Sequence, residues 1–511
     1  MERHDTKAIQ AEEGQPSLLG RLVSHVRRLN RERLRRRHRV AAHQPVVPRS
    51  YAQWIGHFDR LDGQNGRALD ERLQALSSRP LLSLVMPVYN PDLLWLDEAV
   101  ASVQRQIYPN WELCIADDAS TDARVLPRLR ELARRDPRIR LVARETNGHI
   151  SACSNAALDL VRGSHVGWID QDDVLAAHAL LLMAEALGHW PQAQVLYSDE
   201  DKLDAEGKRC EPYFKPDWNP ELLLGQNYPS HFTMIDAERV RRLGGLRIGF
   251  EGAQDHDLLL RCTEGLDPRP DGGDVIHIPH ILYHWRMHQG STSTGDASKS
   301  YAARARVRAV QEHLDRRGLN GQAVDDGRGG CRVIWARPDP APRASILVPT
   351  RNGLEVLRTC LDSVLAMTTY PNYEILVIDN GSDDPATLDY LSELVQRDDR
   401  VRVMRDDRPF NYSALNNEAA RCTEGEFLVL LNNDIEVITP GWLDEMVALA
   451  AQDGVGAVGA RLLYGDGRLQ HGGVILLGPD GIGGHAHKFL ARDCAGYMGR
   501  AMLLQSFSAV T

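Results

Sequence analysis

The chain repeats itself at a fixed distance. Apolar runs at Leu82–Val88 and Ser345–Val348 each reach a proline and, three positions later, an asparagine: Pro87 and Asn90, then Pro349 and Asn352, 262 residues further on. The same offset relates Tyr108-Pro109-Asn110 to Tyr370-Pro371-Asn372, Asp117 to Asp379, Ser120 to Ser382 and Asp122 to Asp384. It continues through Ser151 and Ser413, Asn155 and Asn417, then Asp172 and Asp434. Self-similarity at one period means two copies of one folding unit. Agreement at so many polar positions does not arise by chance. Length alone, at roughly 150 residues per domain, would suggest about three domains; the repeat says that two of them are alike.

Within each copy, short apolar strands alternate with helical periodicity. In the first, strands are expected at Leu82–Val88, Glu112–Ala116, Ile139–Ala143 and His165–Ile169, with helices over Leu93–Gln106, Arg124–Arg135 and Ser151–Val161. That alternation predicts an α/β fold, a mostly parallel sheet covered on both faces. Ligands of such sheets bind beyond the carboxyl ends of the strands. Asn90 follows the first strand, Asp117 and Asp118 the second, and Asp170 and Asp172 the fourth. The expected organisation is a basic helical N-terminal arm over 1–80, a first module over 81–320, a linker over 321–343 and a second module over 344–511.

Composition narrows the class. The chain is 43% hydrophobic and 25% charged, with a mean hydropathy of −0.36, which excludes collagen-like and wholly disordered chains. No apolar run is long enough for a transmembrane helix. Eight cysteines lie far apart without a C-x-x-C pair, arguing against a disulfide framework or zinc ribbon and for reduced thiols in a cytoplasmic protein. The net charge of −10 hides an asymmetry: residues 1–50 hold twelve Lys/Arg and five Asp/Glu, a net of +7. Leu18, Leu22, Val26 and Leu29 recur there at helical spacing among Arg27, Arg28, Arg31, Arg35 and Arg36. Such an arm reads either as a helix lying on an anionic membrane face or as a solvated extension. The acidic remainder offers no basic groove for nucleic acid.

No P-loop and no early G-x-G-x-x-G is present, which disfavours those nucleotide folds. Instead the fourth strand ends in D-Q-D-D, Asp170 to Asp173. Carboxylates gathered at a strand end suit a hard divalent cation that bridges phosphates, as the departure of a diphosphate requires. The strand-P-x-x-N opening, the turn A-D-D-A-S-T-D over 116–122 and I-D-Q-D-D resemble an inverting glycosyltransferase of family 2. The stretches Y-S-D-E-D-K (197–202), Y-F-K-P-D-W-N-P (213–220) and Q-D-H-D-L-L-L-R (254–261) resemble bacterial enzymes that build O-antigen and other surface polysaccharides.

The resemblance implies the GT-A fold in two tandem copies and transfer from a nucleotide-diphosphate sugar to a glycan or lipid-linked glycan acceptor. It implies that Asp118 contacts the nucleotide, with Asp117 beside it and Pro87 and Asn90 lining the same side. Asp170 and Asp172 match the D-x-D pair that holds nucleotide and Mg²⁺ or Mn²⁺. Asp255 matches the general base, although the family's Glu-Asp is Gln254-Asp255 here. His288, in Y-H-W-R-M-H-Q-G-S with His284 and Arg286, matches a late loop that closes on metal or diphosphate. In the second copy Asp379, Asn380 and Asn432 take the donor positions and Asp434 the metal position. Asn380 and Asn432 replace the carboxylates of Asp118 and Asp170. Asp255 lies 83 residues after Asp172, and the same distance after Asp434 passes Thr511; the second copy is therefore expected to lack its acceptor half and the chain to be a fragment. The rival readings are a non-catalytic nucleotide- or glycan-binding scaffold, above all for the second copy, and a sugar-1-phosphate nucleotidyltransferase. The latter lacks its glycine-rich first loop, since Val88–Leu93 reads V-Y-N-P-D-L.

Overall fold

A computed structural model describes residues 50–59, 63–266, 273–288, 296–477 and 481–511. The basic run Arg21–Arg39, and with it the arm expected to lie on a membrane face or in solvent, lies outside the described residues. No helix among them is long and apolar enough to cross a membrane. All eight cysteines are free.

The first module is built on strands β1 (Leu82–Val88), β2 (Trp111–Asp117), β3 (Ile139–Ala143), β4 (His165–Trp168), β5 (Val174–Leu175), β6 (Val195–Leu203), β7 (Arg209–Tyr213), β8 (Thr233–Asp236) and β9 (Val275–Arg286). Their order is β3-β2-β1-β4-β8-β6-β9-β5, with β7 on the side of β6. Pairs β1/β2, β1/β4, β2/β3 and β6/β9 are parallel; β8, paired to β4 and β6, runs against both. Strand β1 shows why the sheet is covered twice. Leu82, Leu84, Met86 and Val88 belong to one core and Val85 to the other, as the period of two requires. The helix Leu93–Gln104 starts at an Asp92 cap whose carboxylate accepts from Leu94 N.

Beyond a helix at Asp296–Arg316, residues expected to be linker form the antiparallel pair β10 (Gly321–Asp325) and β11 (Cys331–Trp335). Its Ala323 and Cys331 are buried in the first module's second core. The apolar alternation there is too short to distinguish from a loop, and packing decides it. Residues 51–75, within the expected arm, are two helices, Tyr51–Phe58 and Gly63–Ala75. They are held to the module by Tyr51 Oη on Asp201 (2.5 Å), by Arg72 on Glu185 and by buried Leu69.

The second module repeats the start of the first: β12 (Ala344–Thr350), β13 (Tyr373–Asp379), β14 (Val401–Arg405) and β15 (Phe427–Leu430) are all parallel, in the order β14-β13-β12-β15. The repetition reaches buried polar contacts. Ser83 Oγ donates to Glu112 (2.6 Å) and accepts from Gly163 N (2.9 Å); Ser345 Oγ donates to Glu374 (2.7 Å) and accepts from Gly425 N (3.1 Å). A Cβ on Gly163 would lie 2.5 Å from Leu81 O, and one on Gly425 2.4 Å from Ser345 Oγ. Gly163→Ala and Gly425→Ala are each expected to destabilise the chain by about 1–3 kcal/mol through overpacking, measured by chemical denaturation. A neutral result at either would show that this seam is not shared.

Candidate active site

The D-Q-D-D segment does not continue β4 as an extended strand. Asp173 N donates to Asp170 O (3.3 Å), closing a turn. That turn brings the first and fourth carboxylates together and sends the third elsewhere. Asp170, Asp173 and His231 offer ligand atoms that all lie within 4.8 Å of one another. His231 Nε2 is 3.8 Å from Asp170 Oδ2. Asp173 is buried, accepting from Tyr283 Oη (2.6 Å) and Arg286 N (2.8 Å). Asp172 instead meets His288 Nε2 at 2.7 Å, and that imidazole stands 4.9 Å from the Trp95 ring.

Strand β9 therefore reaches the site through two residues. Tyr283 and Arg286 hold the turn, Arg286 Nε donating to Asp172 O (2.9 Å) and its other arm to Glu98 (2.6 Å). His284 faces the other way, onto buried Asp201 (2.5 Å), and Trp285 takes Lys202 on its ring. Trp218 packs with Tyr197 and Tyr228 against the second core.

Crowded negative charge shows in the acidities. Withdrawal from water, joined by the neighbouring Asp172 and Asp255 charges, raises Asp170 above the usual carboxylate range against the pull of His231. Burial, then Asp170 and Asp172, pushes Asp173 well above it. A cluster that resists carrying all its charges is relieved by a cation. Two carboxylates and an imidazole with an accessible side fit Mn²⁺ or Mg²⁺ as well as any ordinary ion pair.

Asp255 lies in the first turn of the helix Gln254–Thr263. Its Oδ2 accepts from Asn227 Nδ2 (2.9 Å) and its Oδ1 from His256 N (2.9 Å). Asn227, bonded to Asp255, also accepts from Ser230 N, so the helix start is joined to the loop that carries His231 beside Asp170.

The residues at the ends of β1 and β2 form a separate, tightly bonded corner. Asn90, at φ 44°, accepts from Thr121 N (2.9 Å) and Asp122 N (3.0 Å) and donates to Thr121 Oγ1 (3.0 Å). Asp117 caps the same turn through Ser120 N (3.3 Å). Asp118 is 2% exposed and paired with Arg144, and both its oxygens lie 3.1 Å from Gly148 N. Pro87 sits in β1 beside Ala116. Gln171 ties this corner to the acidic turn, accepting from Tyr89 N (2.9 Å) and donating to Tyr89 O (3.3 Å).

The second module keeps the corner and loses the cluster. Asp379 accepts from Ser382 N (2.9 Å) and Arg405 (2.6 Å); Asn380 donates to the carbonyls of Asp406 and Arg408 (2.8 Å each). Asn432 and Asp434 are exposed. No trio of ligand-bearing side chains gathers around Asp434 among the described residues.

Two residues of the trio, Asp173 and His231, are not separable from their neighbours by sequence. Asp173 belongs to the acidic run, whose turn is the usable signal; His231 comes from a loop before β8 with no pattern of its own.

The model of Glycosyl transferase family 2 matches residues 83–243 and again 345–498. The chain is 47% identical to the uncharacterized protein y4gI of Sinorhizobium fredii, over 87% of this chain and 48% of that one. It is 40% identical to the O-antigen biosynthesis protein RfbC of Myxococcus xanthus, over 88% of this chain and 34% of that one. The chain thus spans about half or less of the length of these relatives. Among solved structures, TarS 1-349 of S. aureus in complex with UDP-GlcNAc matches at 18% identity and a TM-score of 0.37, over 46% of this chain and 66% of that one. With one family model matched twice, at the two repeats, the chain belongs to glycosyl transferase family 2.

Proposed function

We propose that the first module transfers a sugar from a nucleotide-diphosphate donor to a hydroxyl of a growing bacterial surface glycan, with inversion. The observation that carries this is a short run of contacts joining the Asp170–Asp173–His231 trio to the Asp255 carboxylate: Asn227 donates to Asp255 and accepts from Ser230 N, and the next residue, His231, stands 3.8 Å from Asp170. The trio would hold Mn²⁺ or Mg²⁺, which supplies positive charge for the diphosphate leaving group. Asp255, fixed by Asn227 and His256 N, is placed to take the proton of the acceptor hydroxyl. The Asp117–Asp118 corner is the donor side. The O-antigen relative supports a polysaccharide acceptor, free or lipid-linked, and an N-terminal arm at the inner membrane face fits that acceptor. The exposed Asn432 and Asp434 favour a second reading for module two, a nucleotide- or glycan-binding unit without transfer in this chain.

The reading is tested by incubating the protein with UDP-, GDP- and dTDP-hexoses and Mn²⁺, and measuring released nucleoside diphosphate. Release from at least one donor that disappears in Asp170→Asn is expected; release from none, with no nucleotide bound, overturns it. Mn²⁺ titration is expected to find one tight site per chain, weakened about tenfold or more by His231→Ala, in keeping with the loss of one ligand. Two sites of equal strength would place a second at Asp434.

A further inference from the structure

The second module touches the first on the segment that carries its catalytic groups. Tyr497 Oη donates to Pro212 O (2.7 Å) and accepts from Phe214 N (2.8 Å), its ring lying edge-on to Tyr213 at 6.1 Å. Further along, Ser506 is bonded three times: its N donates to Asn219 Oδ1 (3.0 Å), its O accepts from Asn219 Nδ2 (2.9 Å), and its Oγ donates to Glu221 (2.5 Å). Leu503 packs on the first module's second core against Gly225, where a Cβ would come within 3.1 Å of its Cδ2.

The gripped segment leads straight into the site. Gln226 Nε2 donates to Tyr213 Oη (2.8 Å). The next residue, Asn227, donates to Asp255. Four residues on stands His231, whose carbonyl, with that of Pro229, is held by Lys215 Nζ. Residues 212–231 are thus a single strap, tied at one end by module two and carrying at the other the residue that orients the base and a member of the trio.

We infer that Tyr497 and Ser506 of the second module are positioning residues for transfer by the first, setting Asn227, and through it Asp255, by way of this strap. The inference rests on the reading of Asp255 as the base. The donor corner at Asp117 and Asp118 lies on β2 and the loop after it, outside the strap, so its backbone is not expected to respond. The second module then has a function in this chain whether or not it transfers sugar itself: it completes the acceptor side of its neighbour.

The test uses the full chain carrying Tyr497→Phe, which removes both bonds and keeps the ring, with and without Ser506→Ala. Turnover is measured on the hexose panel with Mn²⁺ per nucleotide-binding site, alongside amide hydrogen exchange, which needs no donor. Expected are a fall in kcat of about fivefold for a neutral hydrogen bond lost, larger than any change in donor KM, and faster exchange at 214–231 and 254–256 but not at 113–122. Exchange changes confined to 496–507, or a kcat per site equal to wild type, overturn the inference. Asp255→Asn is run in parallel: if it is inactive while Tyr497→Phe is unaffected, only the coupling falls, and if it retains turnover the base assignment falls and takes the coupling with it.

Discussion

Asp255→Asn is expected to lower turnover by about 10²–10⁴-fold, the range of a general base removed, with the donor still bound. The substitution is nearly isosteric. Its carbonyl can keep the His256 N bond, and Asn227 can rotate its amide to meet the new one, so the helix start is preserved. What is lost is the acceptor of the proton. The measurement is kcat per nucleotide-binding site for the donor that the panel identifies. A variant keeping more than about a tenth of the activity would lie outside that range and would move the base elsewhere in the cleft.

Lys215→Met is expected to cost about 3–5 kcal/mol of stability, as breaking a buried ion pair does when one charge is left behind. Lys215 is fully buried, and its Nζ serves Glu200 (3.1 Å) and the carbonyls of Pro229 (2.7 Å) and His231. Glu200, which also accepts from His231 N (3.2 Å), would lose its cation while remaining largely enclosed. Pairing it with Glu200→Gln removes the orphaned charge and is expected to restore part of the loss, a coupling that a double-mutant cycle in denaturant resolves. Additive losses would mean that the two side chains act separately. The folded fraction that survives should also bind Mn²⁺ less tightly, because the same nitrogen fixes the His231 backbone.

Much of the fold was legible. Strands β1 and β3 start and end where apolar periodicity places them; β2 is one residue longer at each end and β4 one residue shorter at its carboxyl end. This is because strands buried on both faces are continuous apolar runs, and runs are visible in a sequence. The hairpin over 321–335 was not, since a short alternating stretch gains its structure only from the core it lies against. In the site, the D-Q-D-D run marks the turn but not which of its carboxylates meet. An extended reading pairs Asp170 with Asp172; the turn pairs Asp170 with Asp173 and sends Asp172 to His288. Asp118 reads in sequence as a nucleotide contact; the structure adds its partners Arg144 and Gly148, residues 26 and 30 positions away that no local pattern announces.

The amino-acid sequence by itself determined that the chain holds two copies of one α/β module, with acidic residues at the ends of their strands. A fixed offset and a periodicity are properties of the chain read in one dimension, and they survive any folding. Only the tertiary structure decided which of those residues meet. His231 joins the acidic turn because β8 lies beside β4, and Asp255, on a helix reached 85 residues after Asp170, is tied to the same loop through Asn227. The two modules become one working unit because a tyrosine and a serine of the second close on the strap of the first. Contacts of that kind depend on the three-dimensional path of the backbone, since each joins residues whose separation in sequence carries no periodic signal.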